Sequence, residues 1–176
     1  MLALQEIIHE LKSKQLGVVI LNLDFEKAYD RVSWDFLCEV LVKKVFQSGF
    51  IHMIIQLVPG GQIVISINGE IGPFFRNQRG VRQGDPISPL LFDFMTDALA
   101  AILDKARSVG HIKGVIDHLI PGEVSHLQYA DDTIIMIQNN EQIIINLKFI
   151  LLCFEVISGL KIKFLKSEVI FMRASF

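Results

Sequence analysis

A chain of 176 residues, 51% hydrophobic and 20% charged with a formal net charge of −2, can hold one domain with a real core and is too short for two. The mild acidity argues against a free-standing polynucleotide binder, which is usually basic because neutralising phosphates drives affinity. The most apolar stretch, Ile143 to Ile157, carries Asn146, Lys148 and Glu155 and is shorter than the about 20 residues a membrane span needs. No basic region followed by an apolar run marks a signal peptide, so an intracellular protein is expected. A mean hydropathy of +0.45 is high for an isolated soluble domain, and fits either a well-packed domain with central strands or a piece of a larger protein whose other parts cover apolar surface, the second being favoured. Cys38 and Cys153 lie far apart inside apolar helical patterns and are expected as buried free thiols.

In chain order, Leu4, Ile7, Ile8 and Leu11 have helical spacing within Leu2 to Leu11. Gly17 opens a short, β-branched apolar run, Val18 to Leu23, which predicts a central strand ending in Asp24. Ser33 is placed to cap a helix from about Trp34 to Phe46, with Asp35 in its first turn. Ile63 to Ile67 followed by Asn68-Gly69 is a hairpin signal. After a Gly-, Arg- and Gln-rich segment, Ser88-Pro89 predicts a helix with Ser at the N-cap and Pro at the first helical position. Its apolar stripe reads Leu90, Leu91, Phe94, Met95, Ala98, Leu99 and Ile102. His126 to Ile137 reads as strand, turn, strand with Ala130-Asp131-Asp132 at the tip. A long helix, Asn140 to Ser158, is closed by Gly159, and short strands follow near Leu160 to Phe164 and Val169 to Met172. The order predicts an α+β fold: a mostly antiparallel sheet with helices packed on one face.

Adjacent aspartates repel each other and are depleted in strands, yet Asp131 and Asp132 sit inside an apolar hairpin. A solvated turn tip is the plainer explanation. The sharper one is a divalent cation that offsets the repulsion, since hard cations such as Mg²⁺ choose carboxylate oxygens. Asp24, also at the end of an apolar strand, supports this if the two strands lie side by side, because the acids then converge. Two metal ions in such a cluster can activate a 3′-hydroxyl and stabilise leaving pyrophosphate. No Cys/His metal-ligand spacing occurs, and no glycine-rich loop ending in Gly-Lys-Ser/Thr suggests a kinase or ATPase.

Four segments carry a resemblance to one family. Leu23-Asp24-Phe25-Glu26-Lys27-Ala28-Tyr29-Asp30-Arg31-Val32 resembles motif A of the reverse transcriptases of non-LTR (LINE-type) retroelements, with plant elements the nearest in pattern. Gly80-Val81-Arg82-Gln83-Gly84-Asp85-Pro86 through Phe92 resembles motif B, Tyr129-Ala130-Asp131-Asp132 motif C, and Gly159 to Phe164 with Lys166-Ser167-Glu168 motif D. The resemblance implies a polymerase palm covering 1–176. It implies Asp24, Asp131 and Asp132 as a catalytic cluster holding two ions, Mg²⁺ or Mn²⁺. It implies Tyr29 beneath the incoming sugar, where it disfavours a 2′-hydroxyl, and Arg82, Gln83 and Gly84 near nucleotide and template. The implied partners are an RNA template, a DNA primer and deoxynucleoside triphosphates. Lys161, Lys163 and Lys166 are candidates for a triphosphate-facing lysine; Lys163 stands where relatives usually carry asparagine.

The family's fingers and thumb are expected outside this chain, which would also account for the missing positive surface. Val45 to Met53 lacks the family's Trp and reads as eroded. The rival expectation is a retroelement remnant without catalytic activity. An organellar intron maturase shares the four motifs, but its motif B reads differently from Arg82 to Pro86.

Overall fold

A computed structural model describes residues 17–60, 62–115, 125–129 and 132–172. The elements in order are β1 (Val18–Leu23), α1 (Ala28–Arg31), α2 (Trp34–Lys43), α3 (Ser48–Leu57), β2 (Ser66–Ile67), β3 (Glu70–Ile71), α4 (Ser88–Ser108), β4 (His126–Tyr129), β5 (Asp132–Gln138), α5 (Glu141–Ser158) and β6 (Glu168–Met172). The predicted helix at Leu2 to Leu11 lies outside the described residues.

The β-branched run Val18–Leu23 is the centre of a four-stranded sheet ordered β4-β5-β1-β6, with every described pairing antiparallel. Alternation sorts its side chains onto two faces. Val19, Leu21 and Leu23 join Ile135 and Ile137 of β5 in the main core, beneath buried residues of α2, α4 and α5. Val18, Ile20 and Met136 form a smaller cluster with Val115 on the other face. The sequence expectation of an antiparallel sheet with helices on one face holds.

Local chemistry explains the helix ends. The Ser33 hydroxyl accepts from the Phe36 N–H at the start of α2, and Asn140 accepts from Gln142 and Ile143 at the start of α5. Gly159 ends α5 in the left-handed region, φ 75°. At α4 the prediction is off by one: Ile87 occupies the cap position, Ser88 is buried inside the first turn, and no side chain caps the end. The buried stripe of α4 is correspondingly Leu91, Phe92, Met95, Leu99 and Leu103. Phe94, Ala98 and Ile102 flank it, Asp93 and Asp97 are exposed, and Leu90 faces solvent, contrary to expectation.

Three further differences have physical causes. The stretch that lacks the family's Trp forms a helix, since α3 covers Ser48–Leu57 and buries Ile51 and Ile54. The hairpin at Asn68-Gly69 is real but short, with Ile63 and Phe75 bridging below it. Leu160 to Phe164 makes only a single bridge, at Ile162, because a turn follows it. Cys153 is exposed on α5 and Cys38 half-buried, so the buried-thiol expectation fails for Cys153. On α5, Ile145, Phe149, Leu152 and Val156 form an exposed apolar stripe, and Val169, Ile170 and Phe171 of the edge strand β6 are also exposed. Such a surface is larger than scattered exposed apolar residues require.

The segment leaving β1 is held on two sides by backbone. The Gly80 N–H donates to Val32 O (2.8 Å), the Val81 N–H to Tyr29 O (2.7 Å) and the Ser33 N–H to Ser158 O (2.9 Å). The Trp34 Nε1–H closes the clasp by donating to Gly80 O (2.7 Å). This close approach requires glycine. A Cβ on Gly80 (φ 89°) would sit 2.7 Å from Asp30 O, and one on Gly159 would sit 2.6 Å from Arg31 O. Gly84 has a similar φ of 85° but open space around it. Gly84→Ala is therefore expected to lose only the left-handed cost of about 1–2 kcal/mol. Gly80→Ala and Gly159→Ala should each lose at least about 1 kcal/mol more, because backbone must move. Urea melts of the three variants check the ranking.

His126 on β4 pairs with Ile135 and so faces the helices. Burial there pushes its imidazole pKa below the ordinary value, with Asp104 and Asp97 opposing and Arg107 reinforcing the shift. The unfolded chain then takes up a proton first as pH falls. His126's contribution is intact above about pH 6.5 and erodes below it, toward the lower folded value. The stability difference between wild type and His126→Gln should shrink from pH 7.5 to pH 5.5; an unchanged difference would remove His126 from the pH response.

Candidate active site

The register of the central strands decides which residues meet at the end of the sheet. Leu23, the last residue of β1, pairs with Thr133. Asp24 follows Leu23 directly, and Asp132, the first residue of β5, directly precedes Thr133, so both backbones lie at this end of the paired strands. β4 pairs with β5 up to Tyr129 opposite Asp132 at this same end. The sequence placed Asp132 in the turn, whereas its backbone belongs to β5. Asp131 lies outside the described residues, and the orientation of the Asp132 side chain is likewise not described. The expected adjacency of the two strands holds, since β1 pairs with β5 antiparallel.

Asp24 is half-buried. Asn22, two residues earlier on the strand, has a buried amide oxygen without a hydrogen-bond partner. Among the described residues, no three His, Cys, Asp or Glu side chains form a metal-binding group. The donors available at this end of the sheet are hard oxygens, the donor type that suits Mg²⁺ or Mn²⁺ and disfavours softer metals.

Past Asp24 the chain makes one bridge, Phe25 with Ile162, then turns sharply. Lys27 adopts a left-handed conformation, φ 48° and ψ 51°, uncommon for a residue with a Cβ. The turn starts α1 and brings Tyr29 against α4, where its ring stacks on Phe92 at 5.2 Å between centroids and 22° between planes. Phe25 meets the same Phe92 edge-on at 6.3 Å. One buried aromatic therefore fixes two residues of the Asp24 loop. Glu26 and Arg31 form a surface ion pair at 3.1 Å. The Arg31 guanidinium, through its hydrogen bond and charge, lowers the Glu26 pKa.

Arg82, Gln83 and Gly84 occupy the exposed turn between Val81 and α4. Val81 is bonded to Tyr29, so this turn and the Asp24 loop form one unit. The Arg82 guanidinium lies against Gly60, where an added Cβ would meet it within 2.3 Å. The Asp85 carboxylate accepts from the Ile87 N–H (3.0 Å) and fixes the turn into α4. Of the three lysine candidates, Lys161 is 3.9 Å from Glu26, Lys163 contacts Asp24 through its backbone, and Lys166 is exposed. Sequence reading missed Ser167, whose hydroxyl accepts from the Asp24 N–H (3.3 Å). It also missed Trp34 as the bond to Gly80. Neither has a periodicity signal, because each acts through one long-range hydrogen bond.

This geometry has counterparts in known proteins. Residues 2–175 match the profile of the family described as reverse transcriptase (RNA-dependent DNA polymerase). The Pol polyprotein of a type-1 R2 retrotransposable element from Nasonia vitripennis is 29% identical over 138 residues, 78% of this chain and 13% of that protein. An uncharacterized mitochondrial protein of Arabidopsis thaliana is 35% identical over 71 residues, 40% of this chain and 58% of that protein. The chain thus spans a small part of the retrotransposon protein and little more than half the length of the plant one. Among solved structures, telomerase of Candida albicans in complex with a fragment of telomeric RNA superposes with a TM-score of 0.67 at 13% identity. That alignment covers 94% of this chain and 30% of the telomerase, and shows a shared fold. A palm-type sheet carrying Asp24 at the end of its central strand, matched over nearly its whole length, belongs to the reverse transcriptase family.

Proposed function

We propose that this chain is the catalytic palm of an RNA-directed DNA polymerase from a LINE-type retroelement, extending a DNA primer on an RNA template from deoxynucleoside triphosphates. The observation that supports it most is the antiparallel pairing of β1 and β5, in which Leu23, just before Asp24, lies opposite Thr133, just after Asp132. The three acids Asp24, Asp131 and Asp132 would hold two divalent ions, Mg²⁺ or Mn²⁺, and Asp24 would reach them from a rigid strand end. When bound, such ions lower the pKa of the primer 3′-hydroxyl and stabilise the charge on leaving pyrophosphate.

The remaining roles fall to residues of the same unit. Tyr29, held from behind by Phe92, supports a floor beneath the incoming sugar that has no room for a 2′-hydroxyl. Gly84 lets backbone approach the nucleotide or template closely, with Gln83 beside it. Arg82 would leave Gly60 to reach a phosphate. In this reading the triphosphate and duplex are gripped by fingers and thumb outside this chain. Positioning supplies much of the rate in nucleotidyl transfer.

Four outcomes test the reading. The isolated chain with Mg²⁺ should show no measurable primer extension on RNA, because the acids position ions but do not hold a duplex; extension by the bare chain would sink that division of labour. A chimera supplying the family's fingers and thumb should extend a primer, and failure to do so in a folded chimera would favour a remnant without activity. In an active chimera, Asp24→Asn and Asp131→Asn should each lower extension by at least about 1,000-fold without unfolding, since one ligand charge is lost at constant volume. There too, Tyr29→Ala should raise ribonucleotide incorporation relative to deoxyribonucleotide by about 10-fold or more; an unchanged ratio would take Tyr29 out of sugar selection.

A further inference from the structure

The backbone of Asp24, one residue past β1, is held differently from the strand that leads to it. Up to Asn22, β1 pairs with β6 in a regular antiparallel ladder, Asn22 opposite Glu168. Continued, that ladder would set Asp24 opposite Lys166. Instead residues 163–167 leave the sheet in a turn, with the N–H groups of Lys166 and Ser167 both donating to Lys163 O (2.8 and 3.0 Å). Pairing resumes at Phe25 with Ile162, three residues out of step. The turn would leave the Asp24 N–H without a ladder partner. The Ser167 hydroxyl fills that place, accepting from Asp24 N at 3.3 Å and donating to Lys163 O at 3.2 Å. The Lys163 N–H in turn donates to Asp24 O at 2.7 Å. Both polar groups of the Asp24 backbone are thus tied to one five-residue turn, through a ring closed by one hydroxyl.

We propose that Ser167 is a positioning residue for the Asp24 carboxylate: its hydroxyl replaces a missing backbone carbonyl and fixes where Asp24 presents its oxygens to a divalent cation. This rests on the polymerase reading, in which Asp24 is a metal ligand. Paired ions sit roughly 3.5–4 Å apart, so a ligand must be placed within about 0.5 Å. Losing a group that orients a ligand typically costs about 10–100-fold in metal affinity or activity. A hydroxyl is needed because alanine neither accepts from Asp24 nor donates to Lys163, whereas threonine does both.

The test uses the full chain and Mn²⁺ alone, with binding read by electron paramagnetic resonance and amide exchange by NMR. In the wild type, the Asp24 N–H should be protected. Ser167→Ala should weaken Mn²⁺ binding about 10-fold and speed exchange at Asp24, while Ser167→Thr restores both. Mn²⁺ affinity in a folded Ser167→Ala within twofold of wild type overturns the proposal, as does an unprotected Asp24 N–H in the wild type, which needs no variant to fold. Asp24→Asn separates the two levels of the argument. If it abolishes Mn²⁺ binding while Ser167→Ala does not weaken it, only the positioning role fails. If Asp24→Asn binds Mn²⁺ as wild type does, the metal reading fails and Ser167 with it.

Discussion

The structure depends on how the segment from Asp24 to Trp34 is held after it leaves the sheet. A strand end is fixed by its ladder, but a loop beyond it is not. Here the loop is gripped from one side by Gly80 and Val81 and from the other by Ser158, Lys161 and Lys163, all through backbone hydrogen bonds of 2.7 to 2.9 Å. Backbone partners suit this task because they have no rotamers to lose, so little entropy opposes the fixed geometry. The glycines at 80 and 159 follow from that arrangement, since two main chains can approach this closely only where one lacks a Cβ.

The same constraint explains why segments distant in sequence act as one unit. Phe92 on α4 contacts Phe25 and Tyr29, Val81 bonds to Tyr29, and Ser158 at the end of α5 bonds to Ser33. The turn at Arg82 to Gly84, the acid at Asp24 and the turn at Lys163 to Ser167 are therefore linked through direct contacts. A displacement of α4 is transmitted to the Asp24 loop through a stacked ring rather than through a flexible surface contact.

Much of this was legible in the sequence where periodicity or capping chemistry speaks. The run Val18–Leu23 announced a central strand, Asn140 and Gly159 marked both ends of α5, and the acids at strand ends suggested convergence. Legibility failed where tertiary contacts override local signals. Ser88-Pro89 looks like a cap, but Asp85 organises the turn ahead of it: its carboxylate binds the Ile87 N–H, its carbonyl accepts from Ser88, and the helix begins one residue early. Leu90 fits a helical stripe by spacing, yet the stripe is centred on Phe92, which the Asp24 loop covers. The α3 helix was read as erosion because a family pattern was missing, although its mean apolarity and the burial of Ile51 and Ile54 suffice to form it. Ser167 could not have been found from sequence, since its meaning depends on a register shift visible only once β6 is paired.

Net charge alone says little about where charge lies on this chain. A formal charge of −2 averages over the whole chain, whereas a ligand senses local potential. Arg76 and Arg79 line an open pocket beside Asp30, and Arg82 follows within three residues, so cationic side chains gather along the loop that leads into α4. The acids instead include Asp24, just past β1, and Asp132 at the start of the neighbouring β5. Acids gathered in one place are counted against arginines gathered in another in any global sum. Near-neutrality is therefore what opposed local fields would produce when both are carried by one palm, and it says little about whether nucleic acid approaches the arginine-bearing loop.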